Sequence, residues 1–389
     1  MRDGYPIIDA DRHVVEPFSM WRDYLEPELR DRAPYAAPMV DETLAETLAE
    51  RIARLGTKAL LPLPPMPTVE GKPFYNKMSE KAWAELAWTA RARAPQAGPL
   101  DDPATQLTAM DREGVDMAFL YPTYALLLLG VDTLTPALAA AFARAYNRWL
   151  RDHCSRDPQR LRGVGLIATH HPEAMVGELE RVVEYGFRGV VLRPNPVAGR
   201  TLADPAYEAF WTECERRSLA VVIHEGTHAH LPAAGADRFE SRFALHACSH
   251  PMEQMMAILA LIEGGVLERH PALRFAFLEA GCGWLPYWLH RLDDEYAHLR
   301  GEVGVNVRMP PSAYFRRQCF IAFEPNEPLL VEVAAHVGAE CLLFGTDFPH
   351  LDHDEGLVDA ALALHGKLPE GALRKMLWEN AARLFGLEE

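Results

Sequence analysis

An aspartate and a histidine stand two residues apart near the start of the chain, as Asp11 and His13 in the segment IIDADRHVVEP. Because side chains alternate along an extended strand, residues two apart project to the same side. A carboxylate and an imidazole placed in this way can hold one divalent ion between them. Nitrogen and oxygen ligands without a thiolate favour Zn²⁺, with Mn²⁺ and Fe²⁺ as the alternatives.

Carboxylates and histidines also stand at the ends of apolar runs further along the chain. His224 ends AVVIH, Glu279 ends FAFLE, and Asp347 lies in FGTDFPH. Random placement would scatter histidines over helices as well, so their enrichment at such ends predicts a metal site. Half of the 16 histidines lie at or near these ends, namely His13, His170, His171, His224, His228, His230, His350 and His353.

Short apolar, β-branched runs that alternate with amphipathic stretches must position these groups. Near-continuous apolar runs are typical of parallel strands that are buried on both faces. The predicted strands are Pro6–Asp11, Val115–Tyr121, Arg162–Ala168, Gly189–Arg193, Ala220–His224, Leu273–Glu279, Cys319–Phe323 and Cys341–Asp347. The predicted helices are Ala137–Arg156, Pro172–Glu184, Asp204–Arg217, Pro251–Glu263, Pro325–His336, Glu355–His365 and Gly371–Phe385.

Eight successive βα units predict an α/β protein with a (β/α)8 TIM barrel, which residues 1–389 form as a single unit. The alternative is an open doubly wound sheet, which has the same alternation. A Gly-rich nucleotide loop after the first strand would favour that sheet, and Asp11–Glu16 is not such a loop. Side chains just past the strand ends form the active site of a TIM barrel, so we expect the groups described above to meet at one rim.

The alternation is interrupted between the first two predicted strands, over residues 26–112. This segment contains the run PLPPMP at 62–67, short helical stretches at Asp41–Arg54 and Ser79–Arg93, and no strand-like run. We interpret it as a helical insertion after strand one that covers the barrel mouth or a subunit interface.

The composition narrows the classes of partner. The chain has 389 residues and a formal net charge of −16, which argues against nucleic acid because phosphate binding needs clustered Lys and Arg. The most apolar window, Val115–Gly130, is too short to span a bilayer, so we predict no membrane partner. The start of the chain lacks the apolar region of a signal peptide, and the six cysteines form no CxxC pair. We therefore expect a soluble cytoplasmic protein with reduced thiols.

Several longer motifs occur in order along the chain: IIDADRHVVEP, MDREGVDMAFLYPT, YGFRGVVLRPN, VVIHEG, GGVLERHPALRFAFLEAGCGWLPYWLHRLD and LLFGTDFPH. Together they resemble the amidohydrolase superfamily, specifically its aminocarboxymuconate-semialdehyde-decarboxylase-like branch, amidohydrolase family 2. The resemblance covers nearly the whole chain except the insertion. It implies a distorted TIM barrel, one divalent metal ion, and hydrolysis, decarboxylation or hydration of small carboxylated or aromatic substrates. It also implies a homodimer, since relatives are often dimers.

The resemblance implies a set of metal ligands. The HxH pair that many relatives carry on the first strand corresponds to Asp11 and His13, the metal histidine on the fifth strand to His224, and the aspartate on the eighth to Asp347.

The sixth strand departs from the family pattern. Family decarboxylases carry a catalytic histidine there, whereas this chain has Glu279 in FLEAG. A glutamate can act as an acid, a base or a further metal ligand, but it does not reproduce the proton chemistry of an imidazole near neutral pH. This departure argues against decarboxylation by the usual route.

We therefore predict a metal-dependent hydrolase that acts through a metal-activated water on a small amide, lactone, enol or carboxylated aromatic compound. Asp347 is expected to move the proton of that water, with Glu279 and His250 as further catalytic groups. The first alternative is a metal-dependent non-oxidative decarboxylase of the same family. The second is a non-catalytic barrel that binds a ligand.

Three further residues are candidates for contact with the small-molecule substrate. Arg193 ends the fourth strand and could clamp a substrate carboxylate, although a structural ion pair is an equal alternative. His228 lies in HEGTHAH after the fifth strand, and His350 closely follows Asp347 after the eighth. A role for His250 only in capping or packing at a helix start is the alternative to its catalytic role.

Overall fold

The computed structural model describes residues 2–37, 50, 53, 65–76, 99–226, 229–350 and 355–387. The strands, in chain order, are β1 (Ile8–Val14), β2 (Tyr35–Ala37), β3 (Met66–Val69), β4 (Lys72–Pro73), β5 (Met117–Pro122), β6 (Leu161–Gly163), β7 (Gly165–Leu166), β8 (Gly189–Leu192), β9 (Ala220–His224), β10 (Arg274–Leu278), β11 (Cys319–Phe323) and β12 (Leu342–Phe344).

The parallel strands occupy eight barrel positions, with β6 and β7 sharing one of them. Strands β1, β5 and β6 form one parallel sheet, and β7 to β12 follow in chain order in a second. Only Val164 separates β6 from β7. At the other seam, the amide of His13 donates to the Phe348 carbonyl over 2.8 Å, and the amide of Asp347 donates to the Asp11 carbonyl over 2.8 Å. The predicted distorted (β/α)8 barrel is confirmed.

Helices follow the barrel strands and cover their outer faces. The longest of the described helices is α7 (Arg242–Glu263). Its predicted start at Pro251 is wrong, because Pro251 lies inside the helix. The helix begins nine residues earlier, where the Ser241 side chain accepts a hydrogen bond from the Ala244 amide over 3.2 Å. His250 therefore lies in the helix interior and does not cap its start.

The α-helices are α1 (Ser19–Tyr24), α2 (Pro103–Glu113), α3 (Tyr124–Leu128), α4 (Pro136–Cys154), α5 (Pro172–Glu184), α6 (Glu208–Arg216), α7 (Arg242–Glu263), α8 (Val266–Arg269), α9 (Leu285–Val303), α10 (Pro311–Gln318), α11 (Leu330–Val337), α12 (Leu357–Leu362), α13 (Ala372–Arg374) and α14 (Asn380–Phe385). Short 3-10 helices are Pro27–Arg32, Pro205–Tyr207 and Ala339–Cys341, and Lys375–Glu379 forms a π-helical turn.

The segment after β1 contains strands that the sequence reading missed. Strands β2, β3 and β4 form a small antiparallel sheet, so the expectation of no strand in this segment is wrong. Glu70 and Gly71, both at positive φ, form the two-residue turn between β3 and β4, a conformation that glycine favours. The predicted helical stretches Asp41–Arg54 and Ser79–Arg93 lie outside the described residues, apart from residues 50 and 53.

None of the helices within the described ranges has the length and apolar character needed to span a lipid bilayer. The six cysteines are all free thiols, and five of them are buried. Burial raises the pKa of several of these thiols, for example that of Cys154 to about 12. The reduced state of the thiols in the cell and the cytoplasmic location both stay predictions.

Candidate metal centre

Strand β1 directs Asp11 and His13 into the same buried space at the carboxyl ends of the barrel strands. Both side chains are almost completely buried, and Asp11 Oδ1 lies 3.6 Å from His13 Nε2. His224, the last residue of β9, adds a second imidazole whose Nε2 is 3.1 Å from His13 Nε2 and 3.5 Å from Asp11 Oδ1. The structure thus brings together three of the four ligands that were predicted from the sequence.

The two imidazoles are held with the same nitrogen facing inward. His13 Nδ1 lies 3.1 Å from the carbonyl oxygen of Pro122, and His224 Nδ1 lies 2.8 Å from the carbonyl oxygen of Glu225. A carbonyl can only accept, so each Nδ1 carries the hydrogen and each Nε2 presents a lone pair. Two lone pairs 3.1 Å apart repel each other unless a cation or a proton lies between them. Carbonyl contacts of this kind are the usual orienting partners of metal-binding histidines.

Two carboxylates complete the rim, and both stand in strained backbone. Glu279 directly follows β10 at φ +51°, and Asp347 lies three residues past β12 at φ +54°. This left-handed region is uncommon for residues other than glycine, and such strain concentrates at functional sites. Asp347 Oδ1 lies 3.3 Å from His13 Nε2, and Glu279 Oε2 lies 3.2 Å from His224 Nε2.

These distances fit a divalent ion. Donor atoms that bind one ion at about 2.0–2.2 Å lie roughly 3–3.5 Å from one another at a tetrahedral or octahedral centre. Asp11 Oδ1 is buried and has no hydrogen-bond partner among the described residues, as expected of an atom that is placed to bind a cation. Asp11, His13 and His224 therefore fit the ion that the sequence implied, and Asp347 adjoins them through its 3.3 Å contact with His13.

The electrostatics of the cluster favour a cation as well. Burial acts to raise the pKa of Asp11, but contacts with His13 and His224 outweigh it and hold that pKa below its usual range. Burial also acts to raise the pKa of Glu279, whereas His250 lowers it to about 2. Burial acts to lower the pKa of His224, but Asp11 and Glu279 raise it to about 9. Both carboxyl groups are therefore negatively charged at neutral pH.

A close approach between the first and last strands makes this arrangement possible. Gly345 lies directly after β12, and a Cβ atom added there would lie 2.5 Å from the Cβ of Asp11. No side chain fits in this space. The glycine in FGTDFPH is therefore needed to bring Asp347 to the end of β1.

A buried charged layer lies below the cluster, and the sequence reading missed it. Arg12 Nη1 donates to Asp9 Oδ2 over 3.0 Å and to Glu113 Oε2 over 2.9 Å. The hydroxyl of Thr346 donates to the same Asp9 oxygen over 2.6 Å. This layer fixes β1 to the residues that follow β12, and so it fixes the spacing between Asp11 and Asp347.

His350 lies against the cluster and contacts one of its acids. Its Nδ1 is 2.7 Å from Asp347 Oδ1, and its Nε2 is 2.9 Å from the hydroxyl oxygen of Thr123. Its ring lies beside that of His13, with the centroids 3.9 Å apart. The role in substrate binding predicted for His350 stays a prediction, but the structure places the residue at the candidate centre.

On the other side of the rim, helix α7 brings His250 to Glu279. His250 Nε2 is 3.3 Å from Glu279 Oε1, and His250 Nδ1 is 3.1 Å from the Ser249 hydroxyl. The ring of His246, one helical turn earlier, stacks on that of His250 with the centroids 4.2 Å apart. His246 was missed in the sequence, although its spacing of four residues from His250 could have identified it.

Arg193, predicted as a substrate contact, does not lie in this cluster. Arg193 is buried, and its guanidinium contacts Glu225 Oε1 at 3.2 Å, the Gly226 carbonyl at 2.8 Å and the Leu126 carbonyl at 3.3 Å. This is the structural ion pair that was the alternative for Arg193, and its substrate contact stays a prediction. His228 lies outside the described residues, as does His353.

The fold and the site together define a (β/α)8 barrel with a candidate divalent metal centre at the carboxyl ends of its strands. The chain matches the family model described as "Amidohydrolase" over residues 8–387, and it therefore belongs to this family. The predicted branch, with its decarboxylase relatives, is confirmed by the proteins described next.

Two curated relatives are 2-amino-3-carboxymuconate-6-semialdehyde decarboxylase of Dictyostelium discoideum and γ-resorcylate decarboxylase of a Polaromonas species. The first is 26% identical over 64% of this chain and 67% of its own. The second is 25% identical over 79% of this chain and 92% of its own. A crystal structure of a Polaromonas dihydroxybenzoic acid decarboxylase, with bound manganese and the inhibitor 2-nitroresorcinol, is 19% identical with a TM-score of 0.68. It covers 99% of this chain and 98% of its own.

The predicted hydrolase function is wrong, because these relatives are decarboxylases. The prediction rested on the replacement of the sixth-strand histidine by Glu279. The sixth strand is not the only source of an imidazole at the rim. His250 and His350 reach its two sides from other elements. The relatives are enzymes, which also argues against the non-catalytic alternative.

Proposed function

We propose that this protein is a metal-dependent, non-oxidative decarboxylase of a small aromatic or enol carboxylate. The observation that carries the proposal is the contact between His350 and Asp347, because it places a proton-transfer pair directly beside the candidate metal ligands. The decarboxylase relatives that match along the barrel support the same function.

Asp11, His13, His224 and Asp347 would hold the metal ion. When bound, the ion supplies positive charge that binds and polarises a substrate carboxylate and an adjacent oxygen. Zn²⁺ was predicted from the sequence. The manganese in the Polaromonas structure and the two carboxylate ligands support Mn²⁺ as the alternative.

The proton is proposed to move through three side chains of this protein. The Thr123 hydroxyl and the Asp347 carboxylate hold the two nitrogens of His350, at 2.9 and 2.7 Å. His350 passes its proton to Asp347, which delivers it to the substrate carbon that carries the carboxylate. The new C–H bond forms from the ring or enol electron pair. The C–C bond then breaks, its electrons restore the ring or enol, and CO2 leaves.

Glu279 and His250 are proposed to act from the opposite side of the cluster. The negative charge of Glu279 lies 3.2 Å from His224 Nε2, on the side of this imidazole where the metal ion would bind. This charge would also repel a second carboxylate on the substrate. A substrate with one carboxylate beside a hydroxyl group fits this distribution of charge.

The test is CO2 release by the metal-loaded protein. γ-Resorcylate and 2-amino-3-carboxymuconate-6-semialdehyde are the first substrates to measure, and His224→Ala is the inactive control. In D2O, the product should carry deuterium at the carbon that lost the carboxylate. Hydrolysis of amides or lactones by the same preparation, with no CO2 from any hydroxybenzoate, would overturn the proposal.

We propose that the insertion 26–112 borders the substrate entrance. In its described part, the Pro73 carbonyl accepts a hydrogen bond from His230 Nε2 over 2.7 Å, and His230 lies in the loop after β9. Phe74 is fully buried beside Phe18, whose ring packs against Tyr124 in the segment after β5. Both contacts are made with loops at the carboxyl ends of barrel strands.

A homodimer is proposed from the outer surface of α7. Its outward face exposes Met252, Met256 and Leu259 by 46%, 46% and 37%. Helix α9 lies alongside and exposes Tyr287 by 65%, which extends this apolar surface. Light scattering on the eluted protein should give twice the mass of the chain, and Met256→Glu should lower it to that of one chain. A wild-type protein that elutes as a monomer would contradict the proposed dimer.

A further inference from the structure

We propose that His246, His250 and Glu279 form a second divalent cation site, adjacent to the ion held by Asp11 and His13. One ligand atom from each of the three residues lies within 4.8 Å of the other two. The Polaromonas structure contains bound manganese, and a second cation site in this chain goes beyond the metal centre proposed above.

The two histidines are arranged as a helical chelate. His246 and His250 are four residues apart on α7, so both side chains project from the same face of the helix. Their rings are nearly parallel, with planes 24° apart and centroids separated by 4.2 Å. Paired histidines at this spacing are a recurrent zinc-binding arrangement on helices.

The distance between His250 and Glu279 suits a shared ion better than a direct ion pair. A charge-assisted N–H···O bond is typically about 2.7–2.9 Å long. Here His250 Nε2 and Glu279 Oε1 are 3.3 Å apart. Two ligands of a tetrahedral Zn²⁺, each bound at about 2.0 Å, are separated by about 3.3 Å.

The orientation of His250 also suits a ligand. The residue is buried, and the Ser249 hydroxyl lies 3.1 Å from its Nδ1. When Nδ1–H donates to this hydroxyl, the Nε2 lone pair faces Glu279. A hydrogen bond of this kind commonly fixes the ring of a metal-binding histidine.

Glu279 is positioned to bridge the two sites. Its Oε2 faces His224 at 3.2 Å, and its Oε1 faces His250 at 3.3 Å. The strained backbone at φ +51° directs the carboxylate between these two imidazoles. Two histidines and one carboxylate form a zinc-type ligand set with one position open. In this assignment His250 is a ligand, which replaces the acid–base role predicted for it from the sequence.

The test counts bound ions in the full-length protein. Metal-free protein is dialysed against increasing Zn²⁺, and bound zinc is measured by elemental analysis. The wild type should bind two equivalents, His246→Ala one, and His298→Ala two. His298 is the matched control, because it is an exposed helical histidine whose Nδ1 lies 2.8 Å from the Asp294 carbonyl. Equal melting temperatures of the metal-free variants would show that His246→Ala folds normally.

A second measurement tests the bridge. With Mn²⁺ in place of Zn²⁺, the wild type should give the exchange-coupled electron paramagnetic resonance spectrum of two neighbouring ions. His246→Ala should give the spectrum of an isolated ion. Ser249→Ala should weaken binding of the second ion about 10- to 100-fold.

Three results would overturn the proposal. These are a wild type that saturates at one equivalent, equal zinc binding by His246→Ala and wild type, and two Mn²⁺ ions without coupling. None of these measurements depends on turnover, so they separate this proposal from the proposed decarboxylation.

Discussion

The three acidic residues of the rim, Asp11, Glu279 and Asp347, differ in backbone conformation. Asp11 lies within β1, whereas Glu279 directly after β10 and Asp347 three residues past β12 both stand at positive φ. Such backbone costs of order 1–3 kcal/mol per residue and persists only where surrounding contacts fix it. Glu279 can be compared by mutation with the predicted ligand His224, to separate an effect on catalysis from an effect on metal binding.

We expect His224→Ala to lose the first metal ion and all activity, because it removes one of the two facing imidazoles. Glu279→Gln should retain the first ion but lower kcat by about 10- to 100-fold, because it removes the carboxylate beside His224. Metal content by elemental analysis and CO2 release measure the two effects.

Equal loss of the first ion in both variants would contradict this expectation and would make Glu279 an essential ligand of that ion. The control is the melting temperature of each metal-free variant, since unfolding would also remove metal.

At the residue scale, the sequence predicted what strand alternation and strand ends determine. Asp11 and His13 share a side of β1, and His224 ends β9 as predicted. His246 and Thr123 were not predicted, because their approach depends on how a helix and a loop pack onto the barrel. His250 was placed at a helix start because Pro251 usually marks one.

At the element scale, the contact between the end of β12 and β1 determines the shape of the centre. Gly345→Ala should destabilise the protein by about 1–3 kcal/mol, because its new Cβ would overlap the Cβ of Asp11 at 2.5 Å. It should also weaken binding of the first metal ion, which a zinc titration would measure.

Gly177→Ala is the matched control for this substitution. Gly177 is exposed in α5, and nothing lies within 4 Å of an added Cβ. Alanine there should stabilise the protein by about 0.5–1 kcal/mol, since glycine is unfavourable in a helix interior. Equal metal affinity and stability in Gly345→Ala and wild type would contradict the proposed close approach.

The start of α3 depends on a buried carboxylate. Glu16 accepts hydrogen bonds from the amides of Tyr124 and Ala125, both over 2.9 Å. Glu16→Gln should lower the free energy of unfolding by about 1–3 kcal/mol in urea denaturation, because it replaces one of the two acceptor oxygens with an NH2 group that cannot accept from these amides. Glu332→Gln, an exposed glutamate in the first turn of α11, should change it by less than about 0.5 kcal/mol. Similar effects of both substitutions would show that Glu16 has no special role.

At the scale of the whole molecule, the candidate centre concentrates buried negative charge in a chain that already carries a net charge of −16. Removing the metal should therefore lower the melting temperature, and adding Mn²⁺ or Zn²⁺ should restore it. An ion at 100 times its Kd stabilises the folded state by about 2.7 kcal/mol. Calorimetry of metal-free and reloaded protein measures the shift, with His224→Ala as the control that should respond less than the wild type. A wild type with the same melting temperature in both states would contradict a site in this cluster.

Most of the barrel could be predicted from the sequence, because buried parallel strands are continuous apolar runs. All eight predicted strands coincide with barrel positions, and Pro172–Glu184 has the predicted bounds. The sheet of β2, β3 and β4 was missed, since its strands are two to four residues long and two of them contain proline. The reaction was predicted wrongly because one substituted residue was given more weight than the ordered motifs as a whole.

The seam between Asp11 and Asp347 joins the first and last strands of the barrel. An ion held there needs residues that are more than 300 positions apart, so a nascent or C-terminally truncated chain has only part of the ligand set. The ligand set is therefore complete only when the last strand of the barrel pairs with the first. Metal occupancy would report closure of the barrel.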